Sequence, residues 1–300
     1  MTTPAPIGVI AHYNLLERLE PVGPGELYRA RDTHHGRTVA VRLLPAAMAP
    51  DPKSRAALIA QAKALATFSH PNVTIVFDAG EQDGRVYIAF EFLKGDPLRL
   101  EMSGRPMNVR RALEIASQIA NAVAAAHAGG FLHGGLSPDS VIITAKGQTK
   151  VPGFELAARA GVDFVDGDLK LRDYESPEEA RGEAGDERAD TYSVGAILYE
   201  MLTARRPPHK GAAAPSTFNP HVPKELDERV LKAIAPNPAS RYQSAATLAA
   251  ELRSMTTALD VHGGPPDEAP AQSRRRVPMA LIVALLVGVV LGALFWITRS

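Results

Sequence analysis

Residues 108–127, NVRRALEIASQIANAVAAAH, set Leu113, Ala116, Ile119, Ala120, Val123 and His127 on one face at helical spacing. They mark the point at which the chain changes its period. Upstream, Tyr13–Glu20, Glu26–Asp32 and Thr38–Leu44 read as strands separated by Gly/Pro or His-Gly turns. A helix is expected from about Ser54 to Phe68, followed by two apolar segments, Val73–Asp78 and Val86–Phe92. Downstream, helices are expected at about 190–204, 224–234 and 242–257. Strands with one helix, followed by a helical bundle, predict an α+β architecture in two lobes. A small β-rich N-lobe covers about 12–93 and a large helical C-lobe about 94–258.

The chain has 300 residues, enough for about two folding units at roughly 150 residues each. Its 33 Lys and Arg balance 33 Asp and Glu, so no global charge draws it to nucleic acid, and no such partner is expected. Apolar residues at 45% and charged residues at 22% exclude wholesale disorder. The lack of cysteine excludes disulfides, thiol nucleophiles and Cys-ligated metal centres. Nine histidines show no H-E-x-x-H or comparable ligand spacing, so no metal site is expected, and no Ser/His/Asp constellation is found. His34 and His35 fall in a turn and are expected to face solvent.

Residues 1–11 read as an N-terminal tail without a signal peptide, and 259–276 (LDVHGGPPDEAPAQSRRR) as a flexible linker. From Val277 to Ile297, 21 residues carry no charge, and a helix of that length spans about 30 Å, a bilayer's hydrocarbon thickness. Arg274, Arg275 and Arg276 precede this segment, while only Thr298, Arg299 and Ser300 follow it. The positive-inside rule therefore puts 1–276 in the cytoplasm of a single-pass protein of the inner (plasma) membrane. Ala280, Ala284, Gly288 and Gly292 recur every four residues, a face on which two copies of the helix would pair.

The blocks LYRARD, VAVRLLP, SHPNV, YIAFEFLKGDPL, FLHGGLSPDSVIIT, KVPGFELA, YESPEEARG, DERADTYSVGAILYEMLT and NPASRYQSA stand in this order between residues 27 and 245. Together they resemble a protein kinase domain over about 12–257, most closely that of the bacterial transmembrane Ser/Thr kinases. The resemblance implies the two-lobe kinase-like fold and a cleft that positions charge around a triphosphate: a Lys, metal-binding acids and a base for the hydroxyl.

Measured against that family pattern, the polar positions are replaced. The phosphate-covering loop reads EPVGPGEL, with Glu20 and Val22 at the first two glycine positions and only Gly25 in register. Gly23 is displaced, and Pro24 removes a backbone donor. Arg42 stands for the third-strand Lys and Gln61 for its helix Glu, so an Arg–Gln hydrogen bond replaces the expected ion pair. Gly135 replaces the catalytic base, Ser137 the phosphate-contacting Lys, Ser140 the metal-ligating Asn and Gly153 the principal metal-binding Asp. Losing a positioned base alone typically costs about 10²–10⁴ in rate. Asp139 or Glu155 would be the only displaced metal ligands, and Gly153→Asp is expected to restore metal-dependent nucleotide binding. Between Phe154 and Glu175 there is no Ser or Thr, and Gly134 stands where a phosphate-receiving Arg would lie. Asp163, Asp166, Asp168 and Asp173 make that segment either a solvated acidic loop or a docking site for a basic partner. The nine residues HKGAAAPST between Pro208 and Phe218 shorten the surface used for substrate docking in relatives.

The structural positions survive. Glu178 and Arg241 match the family's buried ion pair, and Asp190 the residue that anchors the catalytic loop. Leu65, Val76, His133 and Phe154 match the four side chains that stack between the lobes. Leu27, Ala40 and Ile142 match those that sandwich an adenine, with Phe90 as gatekeeper and the backbone of Glu91 and Leu93 as hinge partners; this trio serves either a nucleotide slot or the core alone. The resemblance and its gaps imply a membrane-anchored cytoplasmic pseudokinase, a binding, scaffolding or signalling-regulatory module for cytoplasmic proteins, without phosphotransfer. The alternative is a weak or atypical Ser/Thr protein kinase that binds ATP. ATP is the cofactor such a slot would take, and Mg²⁺ is not implied.

Overall fold

The computed structural model describes residues 6–20, 24–154 and 173–262. Expectations for Val22, Gly23, Glu155, Asp163, Asp166 and Asp168, and for the 277–297 span with its small-residue face, lie outside these residues. Among the described residues no helix is long and apolar enough to cross a membrane.

Six strands form the N-terminal sheet: β1 (Gly8–Ile10), β2 (Tyr13–Leu19), β3 (Glu26–Asp32), β4 (Arg37–Leu43), β5 (Val76–Gln82) and β6 (Arg85–Glu91). Their order is β1-β2-β3-β4-β6-β5, antiparallel throughout. β1 corrects the reading of residues 1–11 as a tail, because Gly8–Ile10 pairs with Tyr13–Leu15. Strand alternation divides β4 between two faces. Val39, Val41 and Leu43 join Tyr13, Leu15, Ala30, Tyr87 and Ala89 in a small outer cluster. Ala40 belongs to the main core on the opposite face, and the same alternation puts Arg42 there beside it. Gly25 has φ +91°, and a Cβ on it would stand 2.2 Å from the Leu43 carbonyl oxygen. The pairing of Glu26 with Leu43 therefore requires glycine at this position.

α1 (Pro52–Leu65) crosses the sheet, started by Asp51, whose Oδ1 accepts the Ser54 amide at 2.9 Å, and by Pro52 at its first position. A second, three-stranded sheet of β7 (Gly95–Pro97), β8 (Ile142–Thr144) and β9 (Thr149–Lys150) follows, with a short α2 (Leu98–Met102). None of these was expected from the pattern, since strands of two or three residues carry no period to read. The large lobe is built from α3 (Val109–Ala128), α4 (Glu187–Thr203), α5 (Lys224–Ala233) and α6 (Ala245–His262). α3 starts where expected, with Asn108 accepting the Arg111 amide at 3.2 Å, and all six residues of its expected face are buried. α6 continues to His262, so the first residues read as linker, 259–262, are helical.

α4 is the axis of this lobe: every residue from Ala189 to Thr203 is buried. A helix buried all round must satisfy its own polar side chains. Thr191 and Thr203 donate back to the Glu187 and Tyr199 carbonyls at 2.9 and 2.7 Å, and Ser193 donates to the Tyr174 carbonyl at 2.8 Å. The expected Glu178–Arg241 pair forms beside it. Arg241 Nη1 and Nη2 each donate to Glu178 at 2.6 Å, and its remaining donors reach the carbonyls of Ala235, Arg188 and Pro236 at 2.7, 3.1 and 3.2 Å. All five guanidinium donors are thus used. Burial by itself would push the Glu178 carboxyl up, but Arg241 outweighs it and holds the group below the usual range.

Removing one partner of a buried, bidentate pair strands the other charge. Arg241→Ala is expected to cost about 3–5 kcal/mol in a denaturant titration. Replacing Glu178 and Arg241 together by Leu and Met should cost clearly less.

Candidate functional site

The catalytic-loop region is organised around Asp190, at the first buried turn of α4. Its Oδ2 accepts the His133 amide at 2.7 Å and contacts His127 Nε2 at 2.8 Å, while Oδ1 accepts the Gly134 amide at 2.9 Å. Burial would raise this carboxyl, but the His127 contact and the nearby His133, with its amide, reverse the sign and lower it. The expected anchoring role is therefore present. So is the inter-lobe stack: Leu65, Val76 and Phe154 lie in the main core, and the His133 ring meets Phe154 edge-on at 4.9 Å. The lobes are also joined by backbone. Val151 and Thr74 donate to the carbonyls of Asn72 and Val151 at 2.8 and 3.2 Å, and Asn72 Nδ2 donates to the Thr149 carbonyl at 2.8 Å.

The replaced positions have rearranged rather than left a mould. Ser137 and Ser140 close on one another: the Ser137 amide donates to Ser140 Oγ at 2.9 Å, and that hydroxyl donates to the Ser137 carbonyl at 2.8 Å. Both residues are buried. Asp139, a candidate metal ligand, is instead held by Arg99 Nε at 3.2 Å. Arg99 also reaches Glu200 Oε1 at 2.8 Å and the Tyr174 hydroxyl, which in turn donates to Glu200. Burial pushes the Tyr174 phenol up, with Glu200 adding to it.

Gly153 has φ +114°, and a Cβ there would stand 2.9 Å from His133 Nε2. That nitrogen already lies 2.9 Å from the Pro152 carbonyl oxygen. Gly153→Asp would therefore bring in its carboxylate at a cost, because the backbone at 153 is one that an L-residue enters only with strain. Gly135 differs: nothing lies within 4 Å of its virtual Cβ, and its φ is ordinary. A magnesium ion is not fitted by these residues, since no carboxylate stands at 153 and the residue at 140 turns its hydroxyl inward.

On the N-lobe side, Arg42 is buried at 4% exposure, and its Nη1 donates to the Pro24 carbonyl at 3.2 Å. One partner of Arg42 is thus the backbone of the glycine-rich loop; Gln61 is half-buried on α1. Around the adenine-type slot, Ala40 pairs with Phe90 across β4 and β6. Both belong to the main core, with Leu27 packed against it. Ile143 packs there as well, so alternation puts Ile142 on the other face of β8. At the hinge, the Glu91 amide is taken by the Ile75 carbonyl at 2.9 Å, which removes it as a donor for a ligand. The Glu91 carboxylate pairs with Lys150 Nζ at 2.9 Å, and Lys150 is itself buried.

Sequence reasoning missed Arg99, Lys150 and the cluster of His12, Asp32 and His35 at the ends of β1–β4. Each pairing joins residues with no common period or motif: Arg99 is 101 residues from Glu200, and Lys150 is 59 from Glu91. His34 and His35 are exposed, as expected.

Residues 17–256 match the protein kinase domain family. The chain is 37% identical over 247 residues to a probable serine/threonine-protein kinase, SCO3848, of Streptomyces coelicolor, covering 74% of this chain and 37% of that protein. It is 35% identical over 294 residues to serine/threonine-protein kinase PknB of Mycobacterium tuberculosis, covering 90% of this chain and 46% of PknB. The chain thus spans less than half the length of these relatives. A solved structure of the PknI kinase domain of M. tuberculosis, in a cysteine-to-alanine form, superposes with a TM-score of 0.69 at 25% identity, covering 85% of this chain and 99% of that one.

Gly153→Ala and Gly153→Asp are each expected to destabilise the protein by about 1–3 kcal/mol through the forced backbone. Gly135→Asp, with open space for its side chain, should change stability by less than about 0.5 kcal/mol. Thermal melts of the three variants check both statements. Acid should also act through Asp190 and Glu178. Their folded pKa values lie below the unfolded values of about 3.9 and 4.3, so their stabilisation is present above roughly pH 4 and fades as pH falls below it. A melting series from pH 6 to pH 2.5 should show a flat upper region and a steep decline beneath pH 4.

Proposed function

The chain belongs to the protein kinase family, and from that premise we propose that it works as a binding and signalling module whose kinase-like cleft does not transfer phosphate by the family's usual residue set. The observation that carries this reading is Gly153. At the position of the family's principal metal-binding acid there is no carboxylate, φ is +114°, and a Cβ would stand 2.9 Å from His133 Nε2. Phosphoryl transfer depends on charge neutralisation by a metal ion as well as on a base. Here Gly135 supplies no base, and the Ser140 hydroxyl is engaged by the Ser137 amide and carbonyl. What remains intact is architecture: the Asp190 anchor, the inter-lobe stack and the Glu178–Arg241 pair. Such a scaffold supports recognition of a protein partner in the cytoplasm, with the 277–297 segment as its membrane anchor.

A second reading is a weak or atypical Ser/Thr kinase, and the relatives favour it over the first. SCO3848 and PknB are both named as serine/threonine-protein kinases. For it to operate, metal and base would have to come from groups other than those at 135, 140 and 153.

Metal dependence separates the two. The whole chain in detergent is melted with ATP, with and without Mg²⁺, and assayed in parallel for transfer of the γ-phosphate to itself and to a generic basic protein. A ligand at 100 times its Kd stabilises by about 2.7 kcal/mol, a shift of several degrees for a domain of this size. The scaffold reading expects no Mg²⁺-dependent shift and no transfer. A shift that requires Mg²⁺, together with transfer abolished by EDTA, would establish the atypical kinase instead.

A further inference from the structure

At the end of the N-terminal sheet opposite the glycine-rich loop, two turns converge. One joins β1 to β2 and carries His12; the other joins β3 to β4 and carries His34 and His35. Asp32, the last residue of β3, lies between them with no exposed surface. β3 is seven residues long, which separates this cluster from the Gly25 end of the strand by about 20 Å.

Much of what Asp32 does is local. Its Oδ1 accepts the His34 and His35 amides at 3.1 and 3.0 Å, and its Oδ2 accepts Arg37 Nε at 3.0 Å. These bonds close the turn and account for Asp32 and Arg37. They leave the His12 imidazole without a hydrogen-bond role at Nε2. His12 Nε2 is buried, has no hydrogen-bond partner, and stands 3.5 Å from Asp32 Oδ1. His35 Nδ1 stands 3.0 Å from Oδ2. His35 Nδ1 thus already bonds Oδ2 through a shared proton, while His12 Nε2 has no such bond, and a cation at this point would engage a lone pair from each ring and from the carboxylate. One ligand atom from each of His12, Asp32 and His35 fits within a 4.8 Å span.

We propose that His12, Asp32 and His35 form a site for a divalent transition-metal ion of the zinc class, with three protein ligands and water in the fourth position. Nitrogen and carboxylate ligands at about 2.0–2.2 Å in a tetrahedral arrangement lie some 3.4 Å from one another, and the three ligand atoms here fit within 4.8 Å, with His12 3.5 Å from Oδ1 and His35 3.0 Å from Oδ2. The ion takes the place of the proton that joins His35 to Oδ2, and it gives His12 Nε2 its partner.

The ligands stand on fixed backbone. The Thr33 amide and hydroxyl both donate to the His12 carbonyl, at 3.1 and 2.7 Å, tying one turn to the other. Ala11 holds φ +49°, and its amide donates to Gln82 Oε1 at 2.6 Å. The His12 ring is stacked on that of His34, with centroids 4.0 Å apart and planes 1° from parallel. Only His35 must move to close the site, and it is exposed. The His34 and His35 amides and Arg37 Nε hold the Asp32 carboxylate in place. Arg37, whose Nε meets Oδ2, also lies over the Phe77 ring, 3.6 Å from its centroid.

The test uses the untagged full chain in detergent, stripped with EDTA, dialysed, and titrated with ZnCl₂ by calorimetry at pH 7.5. The expected result is one saturable site of micromolar affinity or tighter. His12→Gln and His35→Ala should each weaken it at least tenfold, with melting temperatures in EDTA unchanged. Co²⁺ should bind at the same stoichiometry with the visible absorption of a tetrahedral ion, and Mg²⁺ should not compete. The proposal is overturned by the absence of a saturable one-to-one site. It is equally overturned by zinc uptake that both variants retain, which would assign the binding to other surface histidines.

Discussion

Asp190 is a carboxylate with almost no exposed surface that holds two consecutive backbone amides, those of His133 and Gly134, and a histidine from a neighbouring helix. Everything at the interface of the lobes depends on this clamp. It fixes the path of the loop that follows α3, and so the position of the His133 ring. That ring touches Phe154 and closes the space beside Gly153. A charge this deeply buried is tolerated only because three donors meet it. The helix that carries it is buried along nearly its whole length, so Asp190 cannot relax toward water.

The changes at the polar positions are coupled through that same loop. Because His133 is pinned from beneath, its ring occupies the volume that a side chain at 153 would enter, and glycine with positive φ is the residue compatible with it. Farther along, Ser137 and Ser140 form a closed turn, and Asp139 is drawn to Arg99 with Glu200 and Tyr174. On the opposite side of the cleft, Arg42 turns to the Pro24 carbonyl. Ser140, Asp139 and Arg42 thus each meet a partner within the protein.

Much of the fold is legible in the sequence because burial imposes a period. The α3 stripe is buried at all six expected positions, and β3 has the expected bounds. β4 and β6 fall within one residue of theirs. β5 is displaced toward the C-terminus, since Val73–Ile75 is apolar for its packing and lies outside the strand. β1 and the three short strands of the second sheet are invisible because a two- or three-residue strand repeats nothing. The site is legible in a different sense. Which positions depart from the family pattern follows from residue identity, but the φ of Gly153, the closure of Ser137 on Ser140 and the meeting of His12 with His35 follow from tertiary pairing alone. Motif spacing sees ligands on one helix; it does not see two turns brought together by a sheet.

The internal satisfaction of the cleft's polar groups also bears on what the cleft can bind. A site that receives a charged ligand keeps donors and acceptors directed at solvent, so that binding exchanges water for ligand at little cost. Here the Glu91 amide is taken by Ile75, the Glu91 carboxylate by Lys150, and Asp139 by Arg99. The buried hydroxyl of Ser137, which has no partner, is an exception. A ligand that recruited any of the others would first break a bond worth about 1 kcal/mol, or more for the charged pairs. The apolar walls formed by Ala40, Leu27 and Phe90 carry no such penalty. A polar ligand at Glu91 or Asp139 therefore competes with bonds the protein already makes.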